Sequence, residues 1–211
     1  MITSLRNQEE KNGSKGLNRR AIPNNPSDRP QILCPELIPV KEEYRNKWFK
    51  VLDRGSIFTL EYDQPQVVVL PIVDRENIVM VRVKRPLIND TPLELPAGDS
   101  SAHETPVEAA CRELAEETGI YIDELERFKP VIPISEMPGR MPVLLSVFHI
   151  ELSMNEFTGR KSFDGEEITA VELLPVDTII NKIIMGDIYL SSPMAILSRF
   201  ILTYENRLEN E

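Results

Sequence analysis

Followed along the chain, apolar and polar positions divide it into three stretches. Residues 1–30 show no periodic apolar pattern and read as a flexible arm. Residues 31–65 read as a small antiparallel β unit. In it Trp48–Leu52 and Ser56–Tyr62 form two short strands joined across the turn-forming run Asp53-Arg54-Gly55. That unit has too few apolar residues to stand alone, so it is expected to pack on the main domain or on a second subunit. Residues 66–208 read as the main domain. Val67–Val73 is a continuous apolar run, the mark of a central strand covered on both faces. Ile78–Val83, Thr91–Leu95, Val143–Leu152 and Ile168–Leu174 are further extended segments. A helix is predicted over about 106–118. A second is predicted over about 176–185, stopping at Gly186. A third starts with Ser192 as N-cap and Pro193 as first helical residue and runs to about Leu208. Ser153–Glu167 is polar and long for a connection, which suits a lid or a binding loop. Strands and helices mix without strict alternation, so the expectation is an α/β (α+β) domain with a mixed sheet between helices.

Charge changes this picture in one place. The chain of 211 residues has a formal net charge of −10, while its first 30 residues carry six Lys/Arg against three Asp/Glu. The acids therefore crowd into the folded part, above all between Glu104 and Glu126 and again at Asp164–Glu167. Such a field opposes non-specific binding of nucleic acid, which needs a basic surface. The two cysteines, Cys34 and Cys111, fit neither a zinc spacing nor a disulfide framework and suit a reducing compartment. The N-terminus lacks the apolar core of a secretory signal, and no segment approaches a membrane span, so the protein is expected in the cytoplasm.

The acidic crowd has a pattern. Thr105-Pro106-Val107-Glu108 is a capping box with proline at the first helical position, and Gly119 is a natural helix stop. On a helical projection Val107, Ala110, Cys111 and Leu114 form one stripe, and Glu113, Glu116 and Glu117 form a second. Glu113 and Glu117 lie one turn apart, with Ala109 between them in projection leaving room for an ion. Like charges at this spacing repel, and a hard divalent cation relieves them. Mg²⁺ takes carboxylate oxygens, keeps several waters and bridges substrate phosphates. Such ions neutralise a diphosphate and activate a water. Arg112, four residues before Glu116, is placed to orient that carboxylate. A solvated acidic face is the ordinary reading of a Glu-rich helix. Here, however, residues 98–120 satisfy G-x5-E-x7-R-E-U-x-E-E-x-G-U, with U apolar, at every position, a chance match on the order of 1 in 10⁸.

The segment resembles the box of the Nudix hydrolases. Leu93-Glu94-Leu95-Pro96-Ala97 before it, Val81-Arg82-Val83-Lys84-Arg85 further upstream and Met137-Pro138-Gly139 after it resemble the ADP-ribose pyrophosphatase branch. That resemblance implies an α/β/α sandwich and attack of water on a pyrophosphate phosphorus, with Mg²⁺ as cofactor and Mn²⁺ as substitute. It implies Glu113, Glu116, Glu117 and the carbonyl of Ala97 as metal ligands, and Arg85 and Glu94 as substrate contacts. It also implies a loop carboxylate as base or extra ligand: Asp164, Glu166 and Glu167 are the candidates, and Glu166 is favoured. Glu116, Arg112 and Glu166 are thus the expected catalytic groups. The branch usually dimerises through an N-terminal β unit. Departures lie after the box. Met137 stands where the branch has Ser, and Arg140, a candidate phosphate or carboxylate contact, falls where an acid is frequent. ADP-ribose is the first expectation for substrate. Another nucleotide sugar or a dinucleotide stays open, as does a non-catalytic nucleotide-sensing module. His103 and His149 are expected to be a solvated loop residue and a structural strand residue.

Overall fold

A computed structural model describes residues 41–55, 57–142, 144–157 and 167–208 of the chain. The expected arm at 1–30 and the loop acids Asp164 and Glu166 lie outside the described residues.

The first strands form a small antiparallel sheet in the order β1 (Lys41–Arg45), β2 (Phe49–Asp53), β3 (Phe58–Tyr62). Strand β1 escapes the apolar pattern because its residues KEEYR are all exposed. Pairing with β2 and charge pairs hold it: Arg45 reaches Asp63 at 2.6 Å and Glu42 at 2.9 Å. Gly55 turns the chain between β2 and β3 with φ of 84°, donating its N–H to Asp53 Oδ1 at 2.9 Å. The unit does pack on the main domain: Leu60 N–H donates to the Arg140 carbonyl at 2.9 Å.

The main sheet runs β10 (Ile168–Pro175), β5 (Asn77–Val83), β4 (Gln66–Val73), β9 (Leu145–Leu152), β8 (Lys129–Ile134). Strands β4 and β9 are parallel and the other pairs antiparallel, so the sheet is mixed as expected. The β4–β5 turn has positive φ at both Asp74 and Arg75, a hairpin turn whose twist matches the strands. Beyond that turn the two strands part. Their ladder holds only at Ile72–Ile78 and Val73–Asn77. The opening is filled by β6 (Leu93–Glu94), which pairs with β5 at Val81 and Arg82, and by β7 (Ala97–Asp99), which pairs with β4 at Gln66 to Val68. Between them the Pro96 carbonyl accepts from Val69 N–H at 2.8 Å. The segment 93–99 is therefore a wedge in the middle of the sheet.

Alternation along β4 explains its unbroken apolar run. Val67, Val69 and Val73 face the helix α1 (Pro106–Thr118), together with Val79, Phe148, Ile150 and Leu114. Val68, Leu70 and Ile72 face α2 (Val176–Met185) and α3 (Ser191–Leu208), together with Met80, Ile179, Ile196 and Leu197. Both faces are covered, giving the α/β/α sandwich. Helix α2 ends at Gly186 with φ of 82°, where the sequence stops it. Helix α3 begins at Ser191, earlier than the Ser192–Pro193 reading. Its first bond runs from Met194 N–H to the Leu190 carbonyl at 3.1 Å. Pro193 sits within the first turn, where no helical bond needs its missing N–H. Strand β8 was not legible because Pro130 and Pro133 interrupt it. It is an edge strand bonded to β9 alone, with a register shift between Val131 and Ile134, where proline is tolerated. Among the described residues no helix is long and apolar enough to cross a membrane.

The connection after β9 is pinned by charge. Arg127 donates to Glu156 Oε1 at 2.6 Å and to the Glu151 carbonyl at 2.9 Å, and Glu156 Oε2 accepts from Ser153 N–H at 2.8 Å. The Arg127 guanidinium, then the Ser153 N–H, hold the Glu156 carboxyl down at about 2, against an ordinary value of 4.5. A depressed carboxyl stabilises the fold fully above the unfolded value and loses that contribution as pH falls from about 4.5 through about 2. Glu156→Gln should therefore lower unfolding stability by about 1 kcal/mol at pH 7. The difference from wild type should shrink steadily as urea denaturation is repeated toward pH 3. An unchanged difference at both ends would contradict the pairing.

Candidate active site

Helix α1 starts as its sequence dictates. Thr105 Oγ1 accepts from Glu108 N–H, and Glu108 Oε2 accepts from Thr105 N–H at 2.7 Å. Gly119, with φ of 73°, ends it by donating to the Ala115 carbonyl at 2.9 Å. The buried face is broader than the apolar stripe, however. Ala110 and Leu114 are buried, Val107 and Cys111 half-buried, while Ala109 and Glu113 are also buried. The helix is thus rolled so that part of its acidic stripe lies against the wedge.

Gly98 is what permits this. A Cβ built on Gly98 would stand 2.0 Å from Glu113 Oε1 and 2.6 Å from Oε2, so the carboxylate occupies the space a side chain would take. Glu117 Oε2 accepts from the Ala97 N–H at 3.1 Å. Two carboxylates of successive turns therefore lie on the backbone of residues 97–98. Burial pushes the Glu113 carboxyl up despite the Arg112 guanidinium beside it. Burial pushes Glu117 up to about 8, and the neighbouring Glu113 and Glu94 charges add to this against the Ala97 N–H and Arg85.

Arg112 organises the other acids. Its guanidinium grips Glu104 with two bonds, at 2.9 and 3.0 Å, and donates to Glu113 at 2.7 Å, to Glu116 at 2.8 Å and to the Asp99 carbonyl at 2.9 Å. Five donations in a planar fork are what arginine supplies and lysine does not. Arg112 does orient Glu116, as the spacing predicts. Glu104 is a site residue that the sequence reading left without a role. The signal was available, since Glu104 is the first fixed acid of the motif, but its partner becomes evident only when the turn at 99–105 folds back on α1.

The expected substrate contacts Arg85 and Glu94 are brought together. Arg85 Nε donates to Glu94 Oε1 at 2.7 Å and Nη2 to Oε2 at 2.9 Å. The pair stands beside Glu117, whose charge acts on Arg85, as does that of Glu167. Glu167 thus lies near this mouth, and its carbonyl accepts from Lys84 N–H at 2.7 Å. Arg140 is exposed and donates to its neighbour, the Gly139 carbonyl, at 2.9 Å.

The donor set is oxygen throughout, which suits a hard divalent cation. Two adjoining carboxyls that burial drives toward protonation would gain from a nearby cation. Among the described residues no three acid, His or Cys side chains stand close enough to hold an ion, and Glu116 is bonded to Arg112. Ala97 directs its N–H to Glu117. The remaining polar residues lie elsewhere. His103 is exposed in its loop. The Cys111 thiol donates to the Ile122 carbonyl at 3.0 Å, and burial pushes it up, away from reactivity. His149 lines a cavity of about 480 Å³ on the α3 side of the sheet, with Leu70, Val147 and Phe200, across the sheet from α1.

A mixed sheet split by a wedge, with a carboxylate helix seated on the wedge, defines this as an α/β/α sandwich protein with an acidic, cation-suited site. The NUDIX domain matches residues 63–190, and the chain belongs to the Nudix family. It is similar to an ADP-ribose pyrophosphatase of Bacillus subtilis (strain 168), 27% identical over 123 residues. That region is 58% of this chain and 64% of the relative, so the chain spans less than two thirds of that protein's length.

The close approach at Gly98 has a direct test. Gly98→Ala must turn the Glu113 carboxylate, the mobile end of a flexible side chain, off the wedge, and should change stability by less than about 1 kcal/mol. The Glu113 carboxyl, followed by NMR titration, should fall back toward the ordinary carboxylate range as it leaves its buried place. An unchanged titration of Glu113 in the variant would contradict the contact.

Proposed function

We propose that the protein is a Mg²⁺-dependent pyrophosphohydrolase of nucleoside diphosphate sugars, with ADP-ribose the first substrate, split to AMP and ribose 5-phosphate. The observation that carries this reading is the pair Glu113, buried, and Glu117, half-buried, side by side on the backbone at 97–98 with too little positive charge around them. Membership of the Nudix family and the similarity to a protein named ADP-ribose pyrophosphatase support it.

Glu113, Glu116 and Glu117, with the Ala97 carbonyl, would hold Mg²⁺, or Mn²⁺ in its place. Bound there, the ion supplies neutralisation of the diphosphate and a water acidic enough to attack. The chain's own residues supply position. Arg112 bonds both Glu113 and Glu116, so both carboxylates keep one orientation. The Arg85–Glu94 pair holds a guanidinium at the mouth, where it meets an anionic substrate. Glu166, in the acidic loop that returns at Glu167, is the base favoured for taking the water's proton. The bond formed joins the water oxygen to phosphorus, and the bond broken joins that phosphorus to the bridging oxygen.

The small N-terminal sheet exposes Tyr44, Trp48 and Phe58, at 53%, 60% and 54% of their surface, on a unit with little core. An apolar face of this kind supports a homodimer formed through that sheet. A cytoplasmic setting agrees with the free, hydrogen-bonded Cys111.

Purified protein with Mg²⁺ should release AMP from ADP-ribose. Glu117→Gln should lower kcat/KM by on the order of 10²–10³, the scale of losing a group that stabilises transition-state charge. A panel adding ADP-glucose, GDP-mannose, NADH and diadenosine compounds ranks the alternatives. Turnover of another member above ADP-ribose moves the assignment to that class, and no turnover of any member overturns the proposal.

A further inference from the structure

The chain leaves β5 at Val83 and makes a short excursion before re-entering the sheet as β6. Arg85 begins that excursion. Its backbone closes a hairpin with Asp90, Arg85 N–H donating to the Asp90 carbonyl at 2.9 Å and Asp90 N–H returning to the Arg85 carbonyl at 3.4 Å. Asn89 takes φ of 52° to make the turn. The tip contributes no packing: Leu87 is fully exposed and Ile88 half exposed. A loop with few buried contacts opens at little cost. One contact from outside the hairpin adds to the bonds that hold Arg85 where it meets Glu94.

That contact comes from 99 residues away. The Tyr189 hydroxyl, in the turn between α2 and α3, donates to Asp90 Oδ2 at 2.6 Å, while Asp90 Oδ1 accepts from Thr91 N–H at 2.7 Å. The tyrosine side is itself anchored. Ile188 is buried at 1% exposure, and its N–H donates to the Lys182 carbonyl at 3.2 Å in the cap of α2. The Tyr189 hydroxyl holds the Asp90 carboxyl below its ordinary range, as a donor to a carboxylate does. Tyr189 also feels the charge of Glu94, which places it at the same mouth.

We propose that Tyr189 is a positioning residue for substrate binding: through Asp90 it fixes the 85–90 hairpin so that Arg85 stays paired with Glu94 beside the carboxylate site. The proposal rests on the pyrophosphohydrolase reading above. With the tether cut, the hairpin keeps its own ladder and turn bonds, the bond from Lys84 N–H to the Glu167 carbonyl at its base, and the Arg85–Glu94 pair, whose arginine side chain is 45% exposed. The guanidinium then spends part of its time away from the mouth. Substrate binding weakens, while the groups on α1 and the wedge keep their places.

Tyr189→Phe retains the ring and removes only the donor, and Asp90→Ala removes the acceptor. Each should raise KM for the preferred substrate about three- to tenfold, with kcat within about twofold, the scale of one ordinary intramolecular hydrogen bond, since the tether reaches substrate only through Arg85. The double variant should be no worse than either single one. Amide hydrogen exchange over 84–91 should speed up in each variant with no substrate present. An active wild type whose Tyr189→Phe variant shows unchanged exchange or unchanged KM overturns the tether alone. A fall in kcat at constant KM also overturns it. A wild type that hydrolyses no nucleoside diphosphate compound overturns the functional reading and this proposal together.

Discussion

Glu113 and Glu117 share a bed on the backbone of the wedge, and most of the structure serves to put them there. Burial of an ionised carboxyl is costly unless charge of the opposite sign is close. In this chain the opposing charge is incomplete: Arg112 reaches Glu113, and Glu117 has one backbone N–H. The fold tolerates the imbalance because everything around it is well satisfied. The helix is capped at both ends, its apolar side lies against β4 and β9, and the wedge is bonded to β4 and β5 on either side. A surround this well satisfied can hold two carboxyls close together at a local cost in charge.

The split in the sheet is the second requirement. Were β4 and β5 paired along their length, no strand would enter between them, and α1 would meet side chains instead of bare backbone. The early end of that ladder admits β6 and β7, and Gly98 then removes the last obstacle. The same wedge carries Glu94 to the mouth, so the carboxylate site and the Arg85–Glu94 pair are fixed by one segment of seven residues. The carboxylate pair and the Arg85–Glu94 pair are consequently held in register without a flexible link between them.

Much of this was legible before any coordinates. The capping box and Gly119 bounded α1 to the residue, because both are local chemistry. The apolar run at 67–73 announced a strand covered on two faces, and the Arg112–Glu116 spacing announced their bond. What escaped depended on distant partners. Strand β1 has no apolar face and exists by pairing. Strand β8 carries two prolines that only an edge position accommodates. Glu104 and Arg112 meet because a turn folds back, and Tyr189 meets Asp90 across 99 residues. Gly98 was fixed in the motif, but its reason, a carboxylate in place of a side chain, is a matter of three-dimensional approach. Arg140, read as a candidate phosphate or carboxylate contact, is exposed and donates to the Gly139 carbonyl within its own loop.

The central claim is that Glu113 and Glu117 form an undercompensated carboxylate pair whose missing charge is a divalent cation. Thermal denaturation with and without millimolar Mg²⁺, on wild type and on the Glu113→Gln/Glu117→Gln double variant, tests it most directly. A ligand that binds only the folded state raises the midpoint by mass action. The wild type should gain stability with rising Mg²⁺ in a saturable way, and the double variant should gain none. Equal gains in both proteins, or none in the wild type, would contradict it.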